Sequence, residues 1–264
     1  MSHGGRARFL YRALRARFRD QRSEILALNR LLSDGDRAVD VGANKGSYTF
    51  WMRQAVGESG RVDAFEPQPE LAAYLRATCA AMRWENVDIR EAAASDRAGE
   101  ATLRVPGSRP SPGASLEARA VTGPSSRDVR CETVRLDDAL TDDEDGRIAL
   151  LKVDVEGHEL AVFRGAATIL ARDSPALIFE CEARHLGGET GPADVFSFLE
   201  ALGYAGSFFS PSGLRPVAAF DPAVHQRRGP GRFWKEPGYV NNFLFLPRER
   251  DPGATFGDPA VFQR

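Results

Sequence analysis

Lysine is almost missing from this 264-residue chain. It stands only at positions 45, 152 and 235, although 35 basic residues against 37 acidic ones leave a net charge of −2. A balance so close to neutral argues against a nucleic-acid surface spread over the whole protein, and no nucleic-acid partner is expected. Cysteine is scarce as well: Cys79, Cys131 and Cys181 are odd in number and never fall at C-x-x-C spacing. That excludes a disulfide framework and a cysteine zinc site, and a reducing, cytoplasmic setting is expected. No apolar run approaches the ~18 residues of a membrane span. The first residues carry no apolar signal-peptide core, which points away from secretion. Several site signatures are missing too. G-x-G-x-x-G, G-x-x-x-x-G-K-[ST], Y-x-x-x-K, G-x-S-x-G and H-E-x-x-H do not occur, which removes the motif-based case for dinucleotide folds, P-loops, short-chain dehydrogenases, serine hydrolases and zincins.

What is present alternates strand with helix. "RAVDVG" from Arg37 is a short apolar strand, Ser47 to Val56 a helix opened by Gly46, and "RVDAFE" (61–66) a second strand. Pro67 and Pro69 suit a helix start, after which Leu71, Leu75, Cys79 and Met82 keep helical spacing. "NVDIREAAA" (86–94) reads as a third strand, and "EATLRV" (100–105) and "DVRCETVRL" (128–136) alternate as a pair would. Between that pair, 106–127 is rich in Pro, Gly and Ser, a length that marks a mobile loop or a functional lid. "RIALLKVDV" (147–155) and "PALIFECE" (175–182) are further buried strands, and 193–204 a helix. "YAGSFF" and "YVNNFLFLP" close the domain. Such alternation predicts an α/β fold with a mostly parallel sheet covered on both faces, whose ligands sit beyond the carboxyl ends of the strands.

Two flanks differ from this body. Residues 1–30 form a basic amphipathic arm in which Leu10, Leu14 and Phe18 recur every four residues among arginines. Its plain reading is a solvated helix lying across the domain; its sharper reading is an arm for an anionic partner such as a lipid surface or a carrier protein. The domain proper spans 31–247, and 248–264 has no periodicity and reads as a loose tail.

The turn "DVGANKG" (Asp40 to Gly46) follows the first strand and precedes a helix. Gly42 permits a tight turn against a ligand, and Gly46 lets a helix begin near it with free N–H groups. Asp40 ends the strand with a carboxylate, which repels a pyrophosphate and suits an ammonium group. Glu66 ends the second strand, where an acid accepts hydrogen bonds from ribose hydroxyls. The pair points to a nucleoside carrying a cation, and S-adenosylmethionine fits that description. The rival within α/β folds is a nucleotide-dependent oxidoreductase on a related sheet.

These segments resemble the FkbM-type family of S-adenosylmethionine-dependent methyltransferases. "DVGANKGSYT", "AFEPQPE", "AAASDRAGEATL", "SLEA", "VRLDDAL", "LLKVDVEGHELAVFRGA" and "NNFLF" occur in the family's order, from about Arg37 to Pro247. The segment D-V-E-G-x-E is the most specific of them. The resemblance implies a class I methyltransferase, a Rossmann-like sheet of seven strands in the order 3-2-1-4-5-7-6 with strand 7 antiparallel and helices on both faces. It implies methyl transfer, often to a hydroxyl of a sugar, glycolipid or secondary metabolite, with N-methylation as the alternative. Carried over, Asp40, Gly42, Asn44 and Gly46 line the methionine and ribose end of the cofactor, Glu66 holds the ribose, and Ala93, Ser95 and Asp96 lie by the adenine.

A hydroxyl acceptor must lose its proton as it attacks. His158 is one of only four histidines, with His3, His185 and His225, and stands just past the fourth core strand as the first candidate base. Asp154 and Glu156 orient it or hold acceptor hydroxyls, and Glu159 starts the next helix. Asp154, Glu180 and Glu182 face one rim and have the chemistry of a divalent-metal set; their spacing is not diagnostic, and no metal is expected.

Overall fold

The computed structural model of the chain describes residues 3–121, 125–141, 146–187, 191–229, 231, 233–236, 238–250, 255–257 and 259–262. Residues 122–124 of the long loop and residues 251–254, 258, 263 and 264 of the expected tail lie outside them.

Two helices lead: α1 (His3–Arg15), continued by a π-helical turn at Ala16–Asp20, then α2 (Arg22–Leu31). Strand β1 (Arg37–Val41) is buried at every position, as a central parallel strand covered on both faces must be. There follow α3 (Ser47–Val56), β2 (Arg61–Phe65), α4 (Pro69–Met82), β3 (Val87–Arg90), β4 (Ala93–Ala94), β5 (Gly99–Pro106) and β6 (Ser126–Val134). The second half runs α5 (Leu136–Ala139), β7 (Ile148–Val153), α6 (Glu159–Arg164), α7 (Ala167–Asp173), β8 (Ala176–Glu180), α8 (Pro192–Ala201), β9 (Tyr204–Ser210), β10 (Gly213–Pro216), α9 (Pro222–His225) and β11 (Asn242–Pro247).

The main sheet has eight strands in the order β10-β9-β11-β8-β7-β1-β2-β3. Strands β3, β2, β1, β7 and β8 are parallel neighbours, and β11 runs antiparallel between β8 and β9. Seven of these strands reproduce the expected 3-2-1-4-5-7-6 order with its antiparallel seventh. The eighth, β10, is an added edge strand that hairpins back on β9. Side chains alternate across the sheet. Ala38, Leu150, Ile178 and Leu244 face α2 and α3, whereas Val39, Leu151, Phe179 and Phe243 face α6, α7 and α8.

Four expectations change. The strand expected over 86–94 breaks: exposed Glu91 ends it, and Ala93 and Ala94 swing out to pair with β6 in a separate sheet ordered β4-β6-β5. Leu160, Phe163, Ala167 and Leu170 keep the apolar spacing expected of one helix, but they span two, α6 and α7, that meet at Gly165. The helix expected of the 1–30 arm breaks at Gln21, and its buried face is Phe9, Ala13 and Ala16, not Leu10, Leu14 and Phe18. The tail is not loose at its aromatics. Phe256 and Phe262 are buried beside α2, where Ser23 Oγ donates to the Phe262 carbonyl (3.1 Å) and Arg30 to that of Phe256 (2.7 Å).

Candidate functional site

The strand order reverses direction between β1 and β7, the place where open α/β sheets gather ligands. A cleft opens there. Its floor is the carboxyl ends of β1, β2, β7 and β8, and its far wall is Ala92–Ala94.

Gly42 sits at φ +77°, and a Cβ on it would lie 1.9 Å from the Asp154 carbonyl oxygen. Only glycine lets the turns after β1 and β7 approach this closely. The carbonyls of Phe65 and Val41 accept the N–H groups of Gly42 and Asp154, at 3.0 Å each, and lock the two turns to neighbouring strands. Asn44 takes the left-handed conformation (φ +50°) that asparagine tolerates. Its backbone N–H donates to Glu66 Oε2 at 2.7 Å, while Glu66 Oε1 accepts from the Gln68 N–H at 2.9 Å. Burial raises the Glu66 carboxyl, and these hydrogen bonds only partly offset that. Gly46 caps α3 at φ +77°.

Asp40 departs from its expected role. It is buried and does not line the cleft; it accepts from Thr49 Oγ1 at 2.6 Å and meets Lys152 Nζ at 3.3 Å, opposite it in the β1–β7 register. The ammonium it partners is therefore the chain's own. Lys152 also reaches Asp154 (3.6 Å) and the Gly42 carbonyl (3.2 Å). Burial alone would lower the Lys152 ammonium, but the Asp40 and Asp154 carboxylates outweigh it and hold it above its ordinary value.

The acids that do line the cleft are Glu66, Asp154, Glu156 and Glu180, and no lysine or arginine joins them among the described lining residues. Oxygens of Asp154, Glu156 and Glu180 lie within 4.8 Å of one another. Glu182 does not complete this set as expected, because Arg184 (2.6 and 2.8 Å) and the Tyr239 hydroxyl engage it. Burial, then repulsion from Asp154, raises Glu156 and Glu180 well above the ordinary range. Glu156 also holds φ +54°, unfavourable for a residue with a long side chain. Its Oε2 lies 3.1 Å from His185 Nδ1; burial pushes His185 down to about 4, so this is a hydrogen bond rather than an ion pair at neutral pH. Gly157 (φ +102°) packs against the His185 carbonyl, 2.8 Å from where a Cβ would sit. Three oxygens so placed suit a hard divalent cation or a ligand cation equally.

His158 is fixed at both ring nitrogens. Nε2 lies 2.9 Å from Ser95 Oγ and Nδ1 lies 2.9 Å from Glu117 Oε1. Glu117, not Asp154 or Glu156, orients it. The hydrogen bond from His158 holds the Glu117 carboxyl below its usual range despite partial burial. Ser95 also approaches Asp96 (3.4 Å), and neither Ser95 nor Asp96 lines the cleft, whereas Ala93 does.

Glu117 belongs to the long loop, which lies over the cleft. Ser115 pairs with Arg104 and donates to the Glu156 carbonyl at 2.7 Å; Ser111 and Gln68 exchange two hydrogen bonds of 3.0 Å. Pro112, Ala114, Ser115 and Leu116 form the cleft's roof. Gln68, Ser115, Glu117 and Lys152 are thus site residues to which the sequence assigned no role, although they lie within the segments "AFEPQPE", "SLEA" and "LLKVDVEGHELAVFRGA". Only the length and composition of the loop hinted at a lid.

Glu159 is structural. Buried at the first turn of α6, it accepts the Gly157 N–H at 2.8 Å, and burial raises its carboxyl from 4.5 to about 8. Such a group holds its proton more tightly folded than unfolded, so its stability contribution is complete below 4.5 and is lost as pH rises through about 8. Glu159→Gln keeps the acceptor and removes the ionisation. In urea titrations it is expected to exceed the parent at pH 8.5 by on the order of 1–3 kcal/mol and to match it near pH 5; parallel pH profiles would contradict this.

Residues 40–205 match the methyltransferase FkbM domain. No curated protein matches the chain. Among solved structures, the methyltransferase FkbM from Methylobacillus flagellatus KT superposes with a TM-score of 0.51 at 17% identity, over 81% of this chain and 44% of that one. The chain therefore spans less than half the length of that protein, and the likeness is one of fold. The cofactor-bound Rv0187 from MTB (TM-score 0.48, 17% identity, 94% and 92% covered) and the O-methyltransferase from Bacillus cereus in complex with SAH (0.47, 11%, 93% and 90%) are more distant superpositions.

Proposed function

The chain belongs to the FkbM methyltransferase family, and from its site we propose that it transfers the methyl group of S-adenosylmethionine to a hydroxyl oxygen of a sugar, glycolipid or secondary metabolite. The observation that carries this reading is the lining of the cleft: four carboxylates, an apolar wall and no cation among the described lining residues. That donor set suits an adenosine bearing a positive charge and repels the pyrophosphate of a dinucleotide, which disfavours the oxidoreductase alternative.

S-adenosylmethionine supplies an electrophilic methyl on a sulfonium. The chain's own residues do the rest. Glu66, pre-set by Asn44 and Gln68, holds the ribose hydroxyls; Ala92–Ala94 flank the adenine; Asp154 and Glu180 offset the cofactor's cationic end. Glu156 takes the acceptor's proton, since a carboxyl raised above its ordinary value is, once ionised, a stronger base than an ordinary one. His158 is a positioning residue: its two bonds pin the lid residue Glu117 to Ser95 beside the adenine wall. The lid over the cleft excludes water and sets the acceptor's approach, and most of the rate comes from aligning the two partners.

The test is transfer of labelled methyl from S-adenosylmethionine to a panel of polyhydroxylated and amine acceptors, with and without EDTA. Label in base-stable hydroxyl ethers, unaffected by EDTA, is expected. Label in amines alone would replace the oxygen acceptor by nitrogen. Loss with EDTA, restored by magnesium, would assign Asp154, Glu156 and Glu180 to a metal.

A further inference from the structure

Helix α1 docks on the domain through Phe9 and Ala13, with Phe9 packed edge-on against Phe50 and Trp84. The opposite face is unusual. Tyr11 is 65% exposed, Leu14 46% and Phe18 69%, and these are three of the five exposed large hydrophobics of the described chain. Their i, i+3, i+7 spacing places them in one row. The row is flanked by charge of one sign, since seven arginines and a single acid, Asp20, occur between Arg6 and Arg22. In a protein whose net charge is −2, that is a strong local segregation. Arg6, Arg8, Arg15 and Arg19 are exposed beside the row.

An exposed apolar row bordered by arginines is the pattern of a helix that lies in a bilayer interface, its apolar side chains below the phosphates and its guanidiniums upon them. Charge complementarity selects the occupant: the arginines suit anionic headgroups, and the apolar row needs a hydrocarbon layer behind them. Among the described residues no helix is long and apolar enough to cross a membrane, so contact through this face is peripheral. We propose that α1 and the π-helical turn that continues it dock on an anionic phospholipid bilayer, with Tyr11, Leu14 and Phe18 as the inserted row.

The position of α1 gives docking a consequence. Gln21, just past the helix, lines the main cleft, and Arg12, Arg15 and Asp20 border an adjoining hollow shared with Asn44, Tyr48 and Asp154. A bilayer along α1 therefore lies beside the mouth of the site. If methyl transfer is the reaction, as proposed above, the acceptor hydroxyl belongs to a membrane lipid headgroup; the docking itself does not rest on that reading.

Co-sedimentation of the full chain with vesicles tests the docking without any activity assay. Binding is expected to vesicles containing phosphatidylglycerol, weakened by added salt, and not to phosphatidylcholine alone. Tyr11→Ser/Leu14→Ser/Phe18→Ser should weaken it about tenfold or more with an unchanged melting temperature. Arg6→Glu/Arg8→Glu/Arg19→Glu should weaken it similarly through the charge term. No binding to anionic vesicles, or equal binding by the apolar triple variant, would overturn the proposal. So would a wild-type dimer that the apolar variant dissolves, which would make this face a contact between copies.

Discussion

Glu156→Gln is expected to lower kcat by about 10²–10⁴-fold, the usual contribution of a positioned base, and to leave S-adenosylmethionine affinity unchanged. Glutamine keeps the side chain's length and its contact with His185, so the loss isolates proton transfer. The parent should also show a pH dependence that the variant lacks. Burial, with Asp154 and Glu182 nearby, raises the Glu156 carboxyl well above 4.5, so the basic form grows in, and the parent rate rises, as pH passes upward through that raised value. An unchanged rate with an unchanged pH profile would remove Glu156 from the chemistry. His158→Ala provides the contrast. With both ring nitrogens occupied by Ser95 and Glu117, its loss should loosen the lid and act on KM and on cofactor affinity more than on the pH profile.

The second large effect concerns stability. Asp40→Ala removes the close partner of a buried ammonium, leaving Lys152 with Asp154 at 3.6 Å and a carbonyl at 3.2 Å. Breaking one side of a buried pair costs about 3–5 kcal/mol, read as a lower urea midpoint at constant m. The double variant Asp40→Ala/Lys152→Met should recover most of that, because the uncompensated charge goes with the partner. A loss below about 1 kcal/mol, or no recovery in the double variant, would contradict the pairing. The double variant also separates two roles for Asp40. If Lys152 is its true partner, the double variant binds the cofactor; if Asp40 holds the cofactor's ammonium, the double variant folds and does not bind.

Much of the fold was legible because its signals are local. Buried parallel strands read as apolar runs, Gly46 marked the start of α3, and the order of motifs implied the sheet topology the structure has. The site was legible where a residue ends a strand, as Glu66 and Asp154 do. It was not legible where a contact depends on register or on a distant loop. Lys152 acquires its role only because β1 and β7 place it opposite Asp40. Glu117 and Ser115 sit in an aperiodic segment and reach His158 and Glu156 across 41 residues of chain. Periodicity also misled: Phe9, Ala13 and Ala16 repeat at helical spacing as Leu10, Leu14 and Phe18 do, and spacing cannot say which face meets the domain. Phe256 and Phe262 were isolated aromatics with no pattern, and only their partners in α2 explain them.

The decisive measurement is calorimetric titration of the purified chain with S-adenosylmethionine, S-adenosylhomocysteine and NAD at low and moderate salt. A cleft of carboxylates with no cation among its described lining residues should bind both adenosyl ligands at a single site and NAD not at all, and Glu66→Ala should weaken both adenosyl ligands together. Binding of NAD in preference, or adenosyl binding that survives Glu66→Ala undiminished, would place the cofactor elsewhere and overturn the reading of this cleft.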